Sequence, residues 1–422
     1  MPQGRRKVPF SGKAKKEQLL QKRSSRKKSD SLDDDITPSV SQNLGNSEQI
    51  TATIQQKEQN DKSEVYFDGV NLPSSNAGRQ KYDLIFQKET KREIAEKREL
   101  ARKPIKSMVD DPKVLEKFNE DFFPKSCDYP IRPDWDQCMS KSQVEANEAK
   151  YFRHFVNEIM SQHEQKLSYF ELNIETWRQL WRVTEMSDVL LLIVDARYAS
   201  AMVPGSLIRN LNPKPVVIVL NKIDLIPPAL ALAWKSYFTE AYQNVKVTFF
   251  TSRPAYNLRK PEYDGQGLQF RRLRGRITMA KEGAMQIFDA INELFSDKID
   301  LTSWREKIEN SSAATFEDEE KTPNEGKNML TIGLIGHPNV GKSSLINSLM
   351  GKIVVSVSKT PGHTKHFQTI HVTSSVKLCD CPGLVFPSLI PKPLQVLMGS
   401  YPIAQTREPY SVILFLAERI GV

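Results

Sequence analysis

The chain has little cysteine, no long apolar run and, beyond its first thirty residues, no charge imbalance. Four of its 422 residues are cysteine, Cys127, Cys138, Cys379 and Cys381, too few and too scattered for a disulfide framework. Cys379 and Cys381 flank Asp380 with no second cluster to complete a metal site, and they read as strand residues beside a functional carboxylate. No stretch of 18 apolar residues exists and no secretory core follows Met1, so no helical membrane span is expected and the reading is a soluble intracellular protein. The formal net charge is +9. Residues 1–30 hold 11 Lys or Arg against Glu17 and Asp30, and the remainder of the chain is neutral. Such a basic arm contacts an RNA backbone, addresses a nuclear import receptor, or does both; the plain alternative is a solvated tail.

Against these absences one stretch stands out. Gly336-His337-Pro338-Asn339-Val340-Gly341-Lys342-Ser343 reads G-x-x-x-x-G-K-S. Apolar residues Leu330 to Ile335 lead in, and Ser344-Leu345-Ile346 leads out at helical spacing. Strand, loop and helix are the context a phosphate-binding P-loop requires. The glycines let backbone N–H groups face inward as an anion nest, and the helix adds its positive end. Lys342 can reach the β- and γ-phosphates, and the Ser343 hydroxyl can ligate Mg²⁺.

A second constellation specifies the base. Asn221-Lys222-Ile223-Asp224 directly follows an apolar strand, Pro215 to Leu220, which places it at the carboxyl edge of a parallel sheet. The Asp224 carboxylate can accept from guanine N1–H and N2–H₂ together, a donor pair that adenine lacks. Asn221 can tie neighbouring loops, and the Lys222 stem can lie over the purine. Thr251-Ser252-Arg253 ends a third strand, and Thr251 and Ser252 can support the base. Asp380-Cys381-Pro382-Gly383 follows the strand Val376 to Leu378; Asp380 is a candidate for the Mg²⁺ shell and Gly383 for a γ-phosphate contact. Thr364, in Thr360-Pro361-Gly362-His363-Thr364, is the candidate switch threonine for metal and γ-phosphate. Lys342, Thr364 and Gly383 are therefore the candidate catalytic groups. Leu384 stands where many such enzymes place a water-orienting Gln, so slow hydrolysis is expected.

Short apolar strands alternate with helices, which implies an α/β fold with a parallel sheet. Residues 1–80 read as a basic and then polar disordered arm. Residues 81–144 read as a wrapping segment: an exposed, ion-paired helix over 81–103, then irregular chain anchored by Phe122, Phe123, Tyr129 and Trp135. Residues 145–384 form the nucleotide domain, with a loop-like insert at 254–281 carrying Arg271-Arg272-Leu273-Arg274-Gly275-Arg276 and an acidic linker at 306–328. The basic cluster is a second candidate RNA contact or a solvated loop. Residues 385–422 form a C-terminal segment ending in a helix near Ser411–Arg419.

The order of the motifs is unusual. Small GTPases run P-loop, switch Thr, D-x-x-G, then N-K-x-D; here N-K-x-D comes first. With N-K-I-D, T-S-R, G-H-P-N-V-G-K-S, T-P-G-H-T and D-C-P-G in that order, the chain resembles the circularly permuted GTPases that assist large ribosomal subunit assembly. The resemblance implies a permuted P-loop GTPase fold, GTP and GDP with Mg²⁺ as ligands, and slow hydrolysis. It further implies a pre-ribosomal or rRNA partner and a nuclear or nucleolar and cytoplasmic setting. It points to K⁺ as a further cofactor through Asn339, whose P-loop position holds that ion in similar GTPases lacking the Gln. Relatives of this type continue into a C-terminal region, so 385–422 reads as truncated, and Thr251-Ser252-Arg253 departs from the common S-A-K. The alternative function is a guanine-nucleotide-dependent scaffold in signalling or trafficking with negligible turnover.

Overall fold

The computed structural model describes residues 66–67, 70–71, 83–108, 119–163, 166–251, 268–310, 329–350, 354–357, 362 and 366–420. The arm of 1–30, residues 311–328 of the acidic linker, Ser252 and Thr364 lie outside the described residues. Within the stretch expected to be disordered, Tyr66–Phe67 and Val70–Asn71 pair antiparallel. The residues between them are Asp68-Gly69, a dipeptide favoured in two-residue hairpins.

Six strands form one sheet: β1 (Val189–Asp195), β2 (Val216–Asn221), β3 (Val245–Phe250), β4 (Leu330–Ile335), β5 (Gln368–His371) and β6 (Val376–Asp380). Their spatial order is β3-β2-β1-β4-β6-β5. All neighbours are parallel except β5 and β6, which pair antiparallel as a hairpin. Every residue of β1, β2 and β4 is buried, as parallel strands covered on both faces must be. The register brings the motifs to one edge. Asp195 pairs with Asn221, Asn221 with Phe250, and Leu334 with Asp380.

The helices follow from local sequence. α1 (Lys91–Ala101) starts at a capping box, with Thr90 and Glu93 each bonded to the other's backbone. α2 (Lys141–His163) and α3 (Ile174–Met186) each turn an apolar face inward, with Phe152, Trp177, Leu180 and Trp181 in the core. α4 (Gly205–Leu211), α5 (Pro228–Ala241), α6 (Leu268–Phe295), α7 (Thr302–Asn310) and α8 (Lys342–Met350) complete the layers around the sheet, and α9 (Lys392–Met398) and α10 (Tyr410–Ile420) end the described chain.

Four sequence expectations need adjustment. Residues 83–90 are extended rather than helical: the Thr90 cap delays the helix, and Phe86 is buried. The basic cluster of 271–276 lies within α6, not in a loop, because the apolar spacing of Leu273, Ile277, Ala280 and Ala284 continues into Ile287 and Ile291 despite Gly275. The acidic linker begins later than expected, since Trp304 and Ile308 share one buried face of α7 and Trp304 meets Phe288 edge-on at 5.3 Å. Trp135 is not an anchor: it is half exposed, with the Arg132 guanidinium over its ring at 4.9 Å. Among the described residues no helix is long and apolar enough to cross a membrane.

The chain leaving β6 is held closely. Glu171 N donates to Val385 O at 3.0 Å and Ser168 N to Ser388 O at 2.9 Å. On the other side of that segment, Leu172 N donates to Ile85 O at 2.8 Å. The buried Gln395 amide closes a ring with the Tyr169 backbone, accepting from its N–H and donating to its carbonyl, both at 2.9 Å. Replacing this side chain leaves the Tyr169 N–H unpaired and its carbonyl with only the long contact from Ser168 Oγ at 3.4 Å. Gln395→Ala is therefore expected to lower the urea midpoint by an amount equivalent to about 2–4 kcal/mol, whereas Gln405→Ala, on a partly exposed turn, should shift it little. Equal midpoints for the two variants would remove the assigned role of Gln395.

Candidate nucleotide-binding site

Three loops converge at the carboxyl edge of the sheet. The P-loop begins at the end of β4, where Gly336 carries a φ of +148°. Asn221, at the end of β2, donates through Nδ2 to Val340 O at 2.6 Å. This contact explains Gly341: a Cβ there would stand 2.3 Å from Asn221 Nδ2, and its φ of +103° suits no other residue. Gly383 is as tightly placed, with any Cβ 2.7 Å from Pro338 Cα. The D-C-P-G turn thus lies against the P-loop backbone, and Leu384 N donates to Gly336 O at 3.2 Å.

The expected base-binding groups are together. Asp224 accepts from Thr251 Oγ1 at 2.6 Å, which fixes one carboxylate oxygen. Lys222 has a left-handed φ of 62°, and its Nζ donates to Asn339 O and to Asp195 Oδ2, both at 2.8 Å. Ile223 lies on the short turn that carries Asp224. Lys342 Nζ donates to Gly336 O at 3.0 Å and to His337 O at 2.9 Å. Ser343 and Ser344 follow it in the first turn of α8. Ser252 and Thr364 lie outside the described residues, so the site is read without them.

Several predicted residues can reach a ligand only through their backbone. The side chains of His337, Val340, Cys381 and Leu384 are buried. His337 packs near Phe386 with ring centroids 5.8 Å apart, and its Nδ1 meets Ser400 Oγ at 3.4 Å. Burial, reinforced by Lys342, pushes the His337 pKa down to about 3, so the ring is neutral. Asn339 Nδ2 donates to Gly399 O at 3.0 Å. The P-loop therefore touches the C-terminal segment at Gly399 and Ser400, a contact with no signal in the motifs.

The electrostatics suit a metal and phosphates. Asp380 is fully buried, and neither oxygen makes a geometrically sound hydrogen bond, with Gln368 alongside. Burial raises its pKa to about 6, against the pull of Lys342. Burial lowers Lys342 to about 8, against the pull of Asp380. The buried Asp380 carboxylate and the Ser343 hydroxyl in the first turn of α8 are both hard oxygen donors, a chemistry that fits Mg²⁺. One residue here was not singled out from sequence. Asp195 ends β1, is buried, and accepts from both Arg197 and Lys222.

This sheet order and this arrangement of motifs define a P-loop GTPase fold in circularly permuted order. Residues 331–418 match the family model described as 50S ribosome-binding GTPase. Guanine nucleotide-binding protein-like 1 of Mus musculus is 42% identical over 389 residues, covering 83% of this chain and 64% of its own length. Large subunit GTPase 1 of Saccharomyces cerevisiae is 38% identical over 301 residues, covering 69% of this chain and 46% of its own. The chain thus spans less than two thirds of the length of either relative. The structure of GNP-bound YlqF from T. maritima is similar at 17% identity and a TM-score of 0.32, over 59% of this chain and 77% of that one. The resemblance read from the motifs is borne out by the two named relatives.

Asp380 gives this site a pH signature. Its pKa is raised on folding, so its contribution favours the fold at acidic pH and is lost as pH rises through about 6. Asp380→Asn should raise the melting stability of the nucleotide-free protein near pH 7, by an amount on the order of 2 kcal/mol. The gain should fade at pH values below the carboxyl's ordinary range. The same variant should lose the Mg²⁺ dependence of nucleotide affinity. A gain that is the same at every pH would show that this carboxyl is not strained by burial.

Proposed function

We propose that the chain binds GTP and GDP with Mg²⁺, hydrolyses GTP slowly, and acts as a switch in large ribosomal subunit assembly. The observation that carries the nucleotide reading is the tie from Asn221 to Val340 O, which joins the base loop to the phosphate loop, with Asp224 fixed by Thr251. In this reading Asp224 accepts from guanine N1–H and N2–H₂, and Lys222 lays its stem along the purine. The P-loop amides take the phosphates, and Lys342 exchanges the carbonyls of Gly336 and His337 for phosphate oxygens. Ser343, Asp380 and Thr364 would hold Mg²⁺, which supplies charge neutralisation at the β- and γ-phosphates. Gly383 offers its N–H to the γ-phosphate. Leu384, buried and apolar, gives no water-orienting group, which supports slow turnover by the isolated chain.

The domain reading follows the same division: 145–384 as the nucleotide domain, 81–144 wrapping it, and 385–422 leading out of the switch. The basic arm of residues 1–30 is proposed to meet pre-ribosomal RNA or an import receptor, which goes with a nucleolar, nuclear and cytoplasmic life. The name of the yeast relative supports the large-subunit assignment.

Calorimetric titration tests the base reading. Wild type is expected to bind GTP and not ATP, and Asp224→Asn to turn towards xanthosine triphosphate, since an amide can donate to xanthine O2. A chain that binds ATP and GTP alike would overturn it. Cation dependence is a separate outcome. Asn339 Nδ2 lies on Gly399 O, and Oδ1 is the atom that would meet K⁺ near the phosphates. Turnover should be faster in KCl than in matched NaCl, and equal rates would remove K⁺ from the account.

A further inference from the structure

Asp195 lies beside the base loop, bonded to Lys222, and is not among the groups assigned to the nucleotide. It is 1% exposed, yet it ends a strand at the functional edge and faces two cations. Arg197 donates from Nε to Oδ1 at 3.0 Å and from a terminal nitrogen to Oδ2 at 2.8 Å. Lys222 Nζ donates to Oδ2 at 2.8 Å. Burial alone would push the carboxyl pKa up, but these two partners together bring it below its usual range, so it is ionised at neutral pH.

The direction of the contact matters. Lys222 is the residue whose stem is placed against the purine, and its backbone is left-handed at a φ of 62°, a conformation a lysine rarely holds unaided. Its ammonium is fixed at two points, the Asn339 carbonyl of the P-loop and the Asp195 carboxylate at the end of β1. The first point belongs to the phosphate cradle. The second comes from the adjacent strand, whose register sets Asp195 beside Asn221. Without the second anchor, a flexible four-carbon stem would keep one bond to the P-loop and regain rotamer freedom that binding must then remove.

We propose that Asp195 is a positioning residue for the guanine site, holding Lys222 extended so that its stem forms a preorganised wall for the purine. The inference rests on the guanine-nucleotide reading above. Arg197 shares the carboxylate and keeps it ionised and oriented when Lys222 shifts.

The test is a double-mutant cycle on the full chain, read by the dissociation rate of a fluorescent GDP analogue, with melting temperatures measured alongside. Asp195→Ala is expected to speed dissociation about tenfold, as loss of one charge-assisted hydrogen bond would. Lys222→Ala should speed it by at least as much. In the Lys222→Ala background, Asp195→Ala should add little, because the residue it positions is gone. Asp195→Glu should restore part of the wild-type rate. If Asp195→Ala multiplies the rate equally in both backgrounds, or leaves the rate unchanged, the positioning role is overturned. If it lowers the melting temperature by the same amount in both backgrounds while leaving the cycle coupled, the two effects separate and the positioning role stands. Wild type that binds no analogue at all would instead refute the nucleotide reading on which the proposal rests.

Discussion

The whole site depends on one backbone pairing: β4 inserted between β1 and β6. β4 comes late in the chain, yet it hydrogen-bonds to β1 on one side and to β6 on the other, with Leu192 opposite Ile335 and Leu334 opposite Asp380. Together with the register of β1 on β2, this puts the P-loop beside both Asn221 and Gly383. A shift of one residue would turn alternate side chains to the opposite face and separate the loops. β1 and β4 are buried along their whole length, and β6 at every position but Lys377, so slippage would move Lys377 and Asp380 relative to the core. The sheet therefore does not require the motifs in a particular sequence order. It requires strands that pair in this spatial order and loops that end at one edge.

The site carries a structural cost, and the permuted order has a structural consequence. The cost is buried polar strain. Asp380 and Lys342 are both held away from their ordinary charge preference by burial, and Lys342 spends its donors on P-loop carbonyls. The consequence lies downstream of Gly383. The chain from Leu384 to Ser400 leaves the P-loop at Gly336 and comes back to it at His337 and Asn339. Between these ends it is bonded to Ser168, Tyr169 and Glu171, and that segment is bonded in turn to Ile85. Glu171 is itself buried, with burial raising its pKa to about 8 against the N–H groups of Ile85, Asn173 and Leu172. Phe86, Tyr169, Val385 and Tyr401 fill the space beside this ladder.

Much of this was legible in the residues. The strands declared themselves through unbroken apolar runs, and the three nucleotide motifs through residue types that few other chemistries require together. What was not legible falls into two kinds. The first is contacts made across the fold to residues outside any motif, such as Gln395 on Tyr169 and Asn339 of the P-loop on Gly399. The second is local chemistry overridden by a neighbour. Thr90 stops a helix that charge spacing alone would extend back to Lys81, and the apolar spacing through α6 overrides Gly275. Asp195 could have been found: a carboxylate ending a wholly apolar strand, two residues before an arginine, is out of place unless it has a buried partner.

The central claim is that segments far apart in sequence form one guanine-nucleotide site. Amide hydrogen exchange on the full chain, with and without GDP and Mg²⁺, tests it most directly. The account predicts simultaneous protection of 336–343, 221–225 and the end of β3 at Phe250–Thr251. Protection limited to 336–343, with the base loop exchanging as before, would contradict it.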